Sequence, residues 1–188
     1  RRGASWAATR RLDCPSNRDS SAREDLGITS SGITIAGAGS VGCYLGGCLA
    51  AAGRDVTLLG RADLMHAIAL NGLRISDRDG RDRTLPAGRV PTTTDPATAL
   101  AGAGIVLVTV KSGDTAAMGR LIAQHAPRGG TVVSLQNGIG NATALSRALG
   151  NTARIVAGMV PFNVVQTRDP GDVPHVHRAT SGRVHIAE

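Results

Sequence analysis

The chain has 188 residues and a formal net charge of +7, and 41% of its residues are hydrophobic but only 2% aromatic. This length suits one domain whose core is built from Ala, Val, Leu and Ile. The basic residues are scattered and lack interleaved aromatic residues, which argues against a nucleic-acid surface, and no apolar run reaches the roughly 18 residues of a membrane span.

Residues 1–31 are rich in Arg, Ser, Ala and Asp and have no apolar periodicity. This composition predicts a disordered leader. The segment lacks the hydrophobic core of a signal peptide, and its four acidic residues weaken an interpretation as an organelle transit peptide. We therefore expect one folded domain over residues 32–188.

The stretch Ile33–Gly53 predicts a short strand, a glycine turn and a helix of small residues. Its turn has the G-x-G-x-x-G spacing of a dinucleotide-binding βαβ unit. In that geometry Gly37 makes the tight turn, Gly39 lets the backbone approach a pyrophosphate, and Gly42 lets the helix pack closely on the strand. The six predicted pyrophosphate-binding residues are Gly37, Ala38, Gly39, Ser40, Val41 and Gly42.

The sequence around this turn supports a nucleotide site over a merely structural turn. Apolar residues follow it at helical spacing, Gly53 stands where a helix C-cap is expected, and a second apolar strand, Val56–Leu59, begins shortly after. The residues at helical spacing are Val41, Leu45, Cys48, Leu49 and Ala52.

The residues after the second strand bear on the choice of cofactor. An NAD site usually places an acidic residue near the end of this strand, whereas an NADP site places an arginine nearby for the 2′-phosphate. Here the strand runs into Gly60 and Arg61, which favours NADP over NAD. Asp63 is better explained as a favourable charge in the first turn of a helix over Ala62–Leu70.

Two local signals follow. Leu73–Ala87 alternates between polar and apolar residues around Asp79-Gly80, which predicts a surface hairpin. Asp95-Pro96 predicts the start of a short helix, with Asp as the N-cap and Pro at the first position.

A continuous apolar strand, Ile105–Val110, leads directly into Lys111, which is the single lysine among 21 basic residues. Lys111 is therefore expected at the carboxyl end of a central parallel strand, the edge at which open α/β sheets bind ligands. The alternative is an ordinary loop lysine.

The next strand, Thr131–Leu135, places Asn137 at the same edge. An amide there can donate and accept hydrogen bonds to a ribose or a carbonyl substrate. The alternative is a turn-forming Asn-Gly pair.

The remaining pattern predicts a helix ending at Leu149 and capped by Gly150, and a strand over Ile155–Val160. It also predicts a final hairpin that pairs Val173–His177 with Arg183–Ile186. The fold class is thus α/β: a Rossmann-like, doubly wound, mostly parallel sheet with antiparallel hairpin additions.

Neither cysteines nor histidines predict a metal or disulfide site. Cys14, Cys43 and Cys48 are odd in number and lack CxxC spacing, which fits a reducing, cytoplasmic setting. His175 and His177 alternate on one strand face, but no carboxylate or cysteine spacing accompanies them, so we predict no metal.

Four motifs together resemble the N-terminal domain of the ketopantoate reductase (2-dehydropantoate 2-reductase) family. They are GAGSVGCYLGG, the strand end LLGR, the strand–lysine segment IVLVTVKSGDT and SLQNGIGN, and the resemblance extends from about Ile33 to the end of the chain. The family reduces a 2-oxo acid with NADPH, as a step towards pantothenate and coenzyme A.

The resemblance implies a role for each candidate residue. Gly37–Gly42 would bind the pyrophosphate and Arg61 the 2′-phosphate of NADP(H). Lys111 would lie near the cofactor and substrate, and Asn137 would bridge the nicotinamide ribose and the substrate. Val164 would line the nicotinamide side.

The family also has a second, helical domain that carries the lysine general acid, and the sequence ends at Glu188, about where the first domain should end. We therefore expect NADPH binding with little turnover, and self-association through the exposed domain interface. Two alternatives remain open: a related reductase of another 2-oxo acid or a hydroxyacyl compound, and a non-catalytic NADP-binding module or truncated remnant.

Overall fold

The computed structural model describes residues 32–187, so the predicted leader at residues 1–31 lies outside the described part of the chain. The strands are β1 (Gly32–Ala36), β2 (Val56–Leu59), β3 (Leu73–Asp77), β4 (Asp82–Leu85), β5 (Thr92–Thr93), β6 (Ala103–Val108), β7 (Thr131–Ser134), β8 (Arg154–Met159), β9 (Val164–Asp169), β10 (Val173–Arg178) and β11 (His185–Ile186). The helices are α1 (Ser40–Ala51), α2 (Ala62–Asn71), α3 (Pro96–Leu100), α4 (Thr115–His125) and α5 (Asn141–Leu149), with a 3-10 turn at Ser112–Asp114.

The main sheet has the order β11-β8-β7-β6-β1-β2-β5. All of its strands are parallel except β11, which pairs antiparallel with β8. β1 lies between β2 and β6, so the strand order reverses at β1. Such a switch point opens a crevice at the carboxyl ends of the strands, where α/β sheets bind ligands. The predicted fold class is confirmed.

Two apolar clusters cover the two faces of the main sheet. On one face Ile35 and Leu58 pack with α1 and with Ile75 of a second sheet. On the other face Val106 packs with Ile122 of α4, beside α3 and α5. The sheet is therefore buried on both sides, which explains why its strands read as continuous apolar runs.

The second sheet has the order β4-β3-β10-β9. The predicted hairpin is present as β3 and β4, with Gly80 in its turn at φ +90°. Its placement on the surface holds for the turn and for most of β4, where residues 82–84 are exposed, but is wrong for β3, because Leu73 and Ile75 are fully buried against α1. A Cβ on Gly47 of α1 would lie 2.6 Å from Cγ2 of Ile75, so small helix residues allow this close approach.

The predicted pairing of the two tail segments is also wrong. β10 pairs antiparallel with β9 and parallel with β3, whereas β11 pairs with β8 in the main sheet. The hairpin turn is at Gly171 and Asp172, both with positive φ, rather than at Ser181-Gly182. The alternation of polar and apolar residues predicted that these segments are strands, but it does not determine which other strands they pair with.

Helix boundaries agree closely with expectation. The Asp95 carboxylate accepts hydrogen bonds from the backbone N–H groups of Ala97 (3.2 Å) and Thr98 (2.9 Å), and so caps α3 as predicted. In α1, the apolar residues at helical spacing are only half-buried, and the fully buried positions are mostly small residues.

Within residues 32–187, no helix is long and apolar enough to cross a bilayer.

Candidate dinucleotide-binding site

The glycine turn after β1 is held by hydrogen bonds to β2. The backbone N–H groups of Gly37 and Ala38 both donate to the Leu59 carbonyl, at 3.0 and 2.8 Å. Gly37 has φ +102°, and a Cβ there would lie 2.5 Å from Cγ1 of Val110. Both the left-handed backbone and the close approach of Val110 therefore require glycine at this position.

Gly39 is the N-cap of α1 and leaves the helix start open. Its backbone is extended, it brings no side-chain cap, and no heavy atom lies within 4 Å of where its Cβ would be. Ser40 and Val41 begin the helix. A helix N-terminus with open space in front of a glycine offers N–H donors and a partial positive charge to an anion. This geometry fits the pyrophosphate of a dinucleotide.

Gly42 sets how closely α1 approaches the main sheet. A Cβ at this position would lie 2.7 Å from Oγ1 of Thr109 and 2.9 Å from the Gly37 carbonyl oxygen. The Thr109 hydroxyl itself donates to that carbonyl at 2.9 Å. This geometry agrees with the packing role predicted for Gly42. The contact that Thr109 makes with the glycine turn was not predicted.

Beneath the turn lies Cys43, which is fully buried and whose thiol donates to the Ala38 carbonyl at 3.4 Å. Burial raises the pKa of this thiol to about 12. Cys43 therefore packs as a small apolar residue, and its thiol stays protonated at neutral pH.

Arg61 lies beside the glycine turn at the end of β2. It is exposed and forms the N-cap of α2, with its carbonyl accepting from the Met65 N–H at 2.9 Å. The preceding Gly60 is close to Ala38, because a Cβ on Gly60 would lie 3.0 Å from the Ala38 carbonyl oxygen. Asp63 is in the first turn of α2, where its charge favours the helix.

Lys111 and Asn137 follow the neighbouring parallel strands β6 and β7, so the structure places both at the predicted sheet edge. Both residues are exposed. Lys111 precedes the 3-10 turn, and the carbonyl of Asn137 accepts hydrogen bonds from Ser112 Oγ (3.1 Å) and Asn141 Nδ2 (3.2 Å). The loops that carry Lys111 and Asn137 are therefore in direct contact.

Val164 starts β9 in the second sheet, half-buried against the core, whereas the other candidate residues lie along the main sheet. By strand alternation, Gln166 lies on the same face as Val164. Its Oε1 lies 3.5 Å from Oγ of Ser40, so β9 reaches the start of α1. Gln166 was missed because β9 itself was not predicted.

His175 and His177, which were predicted to share one face of a strand, both contact Ser76. Oγ of Ser76 lies 2.7 Å from Nε2 of His175 and 2.8 Å from Nδ1 of His177. Nδ1 of His175 also lies 3.3 Å from the Asp169 carboxylate. Among the described residues, no group of three or more His, Cys, Asp or Glu side chains is arranged to hold a metal ion.

A buried carboxylate ties α1 to the second sheet. Asp77, whose side chain is 2% exposed, accepts from the Tyr44 hydroxyl at 3.2 Å and faces Arg178 at 3.6 Å and Arg81 at 3.7 Å. Burial raises the pKa of this carboxyl, but the backbone N–H of Arg81 and the two arginine charges outweigh it. The net pKa lies below the ordinary value.

A glycine turn at the switch point of a doubly wound sheet, followed by an open helix N-terminus, defines a dinucleotide-binding α/β domain. The family described as ketopantoate reductase PanE/ApbA matches residues 33–188. The chain belongs to this family and corresponds to its N-terminal, NAD(P)-binding domain.

Similar proteins support the same assignment. The 2-dehydropantoate 2-reductase of Halobacterium salinarum is 35% identical over 144 residues, which are 76% of this chain and 45% of that protein. A ketopantoate reductase structure from Ralstonia eutropha has a TM-score of 0.68 and 34% identity, covering 82% of this chain and 48% of that one. The structure of a 2-dehydropantoate 2-reductase from Geobacter metallireducens has a TM-score of 0.67 and 32% identity. That match covers 83% of this chain and 48% of the other chain. The chain spans about half the length of the curated relatives it matches.

Proposed function

We propose that this chain is the NADPH-binding part of an enzyme that reduces a 2-oxo acid, 2-dehydropantoate, to the 2-hydroxy acid pantoate. The names of its relatives, at 31–38% identity, support the substrate. The observation that carries the proposal is the open glycine N-cap of α1, with Arg61 beside the same turn.

Each part of the cofactor has a group on this chain that suits its chemistry. The N–H groups at the start of α1 would hold the pyrophosphate, from Gly37 to Gly42. Arg61 would pair with the 2′-phosphate, because a guanidinium binds phosphate through several charge-assisted hydrogen bonds. Val164, on the second sheet, would line the nicotinamide side.

When bound, NADPH supplies the hydride that reduces the keto carbon. Asn137 would then orient the nicotinamide ribose and the substrate through its exposed amide, and the ammonium of Lys111 would attract the substrate carboxylate. The oxygen of the reduced carbonyl also needs a proton. The resemblance assigns that donor to the family's second domain, so we propose that these residues alone bind cofactor and turn over little.

We also propose self-association through the exposed edge of the main sheet at β8 and β11. Met159 of β8 and Ile186 of β11 are each 48% exposed, and because Met159 is paired with His185 and Ile186 with Gly158, each face of this edge exposes one apolar side chain. Light scattering between about 1 and 100 μM would detect it. A monomer over the whole range would contradict this part of the proposal.

The test of cofactor choice is calorimetric titration of the chain with NADPH and NADH, using Arg61→Ala and the matched control Arg147→Ala. Arg147 is also exposed but lies in the last turn of α5. We expect Arg61→Ala to weaken NADPH at least about tenfold and leave NADH unchanged, because one charged hydrogen-bonding group is lost. Equal wild-type affinity for both cofactors would contradict the assignment of Arg61.

A further inference from the structure

Below Lys111 and Asn137, polar side chains form a continuous hydrogen-bonded chain, which we name the amide chain. It consists of Ser134, Gln136, Thr115, Asn141 and Ser112. Four of them are nearly buried, with exposed fractions of 3% for Ser134, 7% for Gln136, 1% for Thr115 and 6% for Asn141. Ser112, at the surface end, is exposed.

Backbone carbonyls fix the orientation of both amides. Nε2 of Gln136 lies 2.8 Å from the Val110 carbonyl oxygen, and Nδ2 of Asn141 lies 3.2 and 3.3 Å from those of Asn137 and Gly138. A carbonyl oxygen can only accept a hydrogen bond, so each of these contacts requires the –NH₂ group of the amide. Neither amide can be flipped without placing two oxygens against each other.

The fixed amides set the direction of every other bond. Gln136 donates to Thr115 Oγ1 at 2.7 Å, so the Thr115 hydroxyl is free to donate to Asn141 Oδ1, at 3.1 Å. Ser134 donates to Gln136 Oε1 at 3.2 Å. Donation therefore runs one way, from β7 through α4 and α5 to the carbonyl of Asn137. Chains ordered in this way strengthen each bond, and a break leaves buried polar groups unpaired.

The amide chain joins the loop after β6 to the loop after β7. These loops carry Lys111 and Asn137, and the second contains Gly138 and Gly140 at φ +113° and +95°. Two left-handed glycines give this loop many unfolded conformations, so its shape depends on outside contacts. A Cβ on Gly138 would lie only 3.4 Å from Ser112 Oγ, which shows how closely the two loops meet.

We propose that Thr115 and Asn141 are positioning residues: through the amide chain they hold Lys111 and Asn137 at one fixed separation for the nicotinamide half of the cofactor. This inference rests on the proposed function. Neither residue reaches the exposed edge, so both act through the loops above them. The adenine half, at Arg61 after β2, is separated from β6 by the strand β1, so we expect it to be independent of the amide chain.

The test compares two ligands on the 188-residue chain. NADPH would engage both ends of the site, whereas adenosine 2′,5′-bisphosphate has only the adenine half. Thr115→Val keeps the side-chain shape but removes the hydroxyl, and Thr115→Ser is the rescue variant. Because Thr115→Val removes both the bond from Gln136 and the bond to Asn141, we expect it to weaken NADPH binding about five- to tenfold and leave binding of the bisphosphate unchanged. Thr115→Ser should stay within about twofold of wild type.

A second variant tests the direction of the bonds. Asn141→Asp still accepts from Thr115 but cannot donate to the Asn137 and Gly138 carbonyls, so it should lose NADPH affinity at least as much as Thr115→Val. Ser112→Ala removes a donor to the Asn137 carbonyl at an exposed position. Because an exposed substitution should not disturb folding, this variant tests the proposal even where a substitution in the buried part of the amide chain prevents folding. We expect it to weaken NADPH selectively, by about threefold.

The outcomes separate the two claims. Unchanged NADPH affinity in Thr115→Val and Ser112→Ala, or an equal loss for both ligands, would overturn the positioning role while leaving the cofactor site intact. A wild-type chain that binds neither ligand would instead overturn the proposed function itself. Selective loss for NADPH with rescue by serine would establish the inference.

Discussion

The hydroxyl of Thr109, the residue after β6, donates a 2.9 Å hydrogen bond to the carbonyl of Gly37, 72 residues earlier in the chain. The same hydroxyl would be 2.7 Å from a Cβ on Gly42. One side chain thus fixes the glycine turn and limits how closely α1 approaches the sheet. The residue after β6 therefore takes part in shaping the glycine turn after β1, where we propose that the pyrophosphate binds.

Thr109→Val tests this contact, because valine keeps the shape and loses the donor. We expect a loss of about 1 kcal/mol in the free energy of unfolding and a fall of several-fold in NADPH affinity, since the turn is less firmly held. Urea denaturation and calorimetry would measure the two effects. Thr109→Ser, which retains the hydroxyl, should restore most of both; a Val variant with wild-type affinity would show that the bond does not shape the site.

The first two motif glycines should separate fold from binding. Gly37→Ala introduces a Cβ at φ +102° and 2.5 Å from Val110, so we expect it to lower the free energy of unfolding by about 2–4 kcal/mol. Gly39→Asp has open space and provides a better N-cap, so stability should stay within about 1 kcal/mol. NADPH affinity should nevertheless collapse, because the carboxylate occupies and repels the phosphate position. Strong NADPH binding by Gly39→Asp would place the cofactor elsewhere.

Asp77→Asn should destabilise the protein by about 2–4 kcal/mol at pH 7, because it leaves Arg178 and Arg81 without their buried counter-charge. The folded-state pKa of Asp77 lies below its ordinary value. Its contribution is therefore full above the unfolded value of about 4, and is lost as pH falls through the lower folded-state pKa.

Denaturant midpoints of wild type and Asp77→Asn between pH 7 and pH 3 would check this dependence. The gap between the two curves should narrow as pH falls below about 4, where the carboxyl of the unfolded wild-type chain begins to take up a proton. Asp55→Asn is the matched control, since Asp55 is exposed. A gap between wild type and Asp77→Asn that stays constant down to pH 3 would mean that the charge of Asp77 does not contribute.

Phe162 should be a key residue for the junction of α1 and the second sheet. It is 5% exposed, its ring packs edge-on against Tyr44 at 5.7 Å, and the Arg178 guanidinium lies 5.6 Å from its centre. Phe162→Ala should cost about 3–5 kcal/mol by thermal or urea unfolding, whereas Phe162→Leu should cost under about 2. A near-neutral Ala variant would show that the junction relaxes around the lost ring.

Local chemistry was enough to predict much of the main sheet. The glycine turn, the capping by Asp95 and the strand ends at Arg61, Lys111 and Asn137 could all be predicted, because each depends on residues close together in the chain. The second sheet was predicted poorly. β3 was predicted to be a surface strand because three of its five residues are polar, yet its two apolar residues, Leu73 and Ile75, are fully buried under α1.

Glycine spacing and apolar periodicity are local properties, so they were enough to predict the fold class, the family and the sheet edge at which we propose that a ligand binds. The folded structure was needed to show that β10 pairs with β3 and β9, that Thr109 donates to Gly37, and that Gln136, Thr115 and Asn141 form one chain beneath the candidate site. These contacts join residues far apart in sequence. A buried amide cannot be told from an exposed one in the sequence, because its burial depends on the tertiary structure.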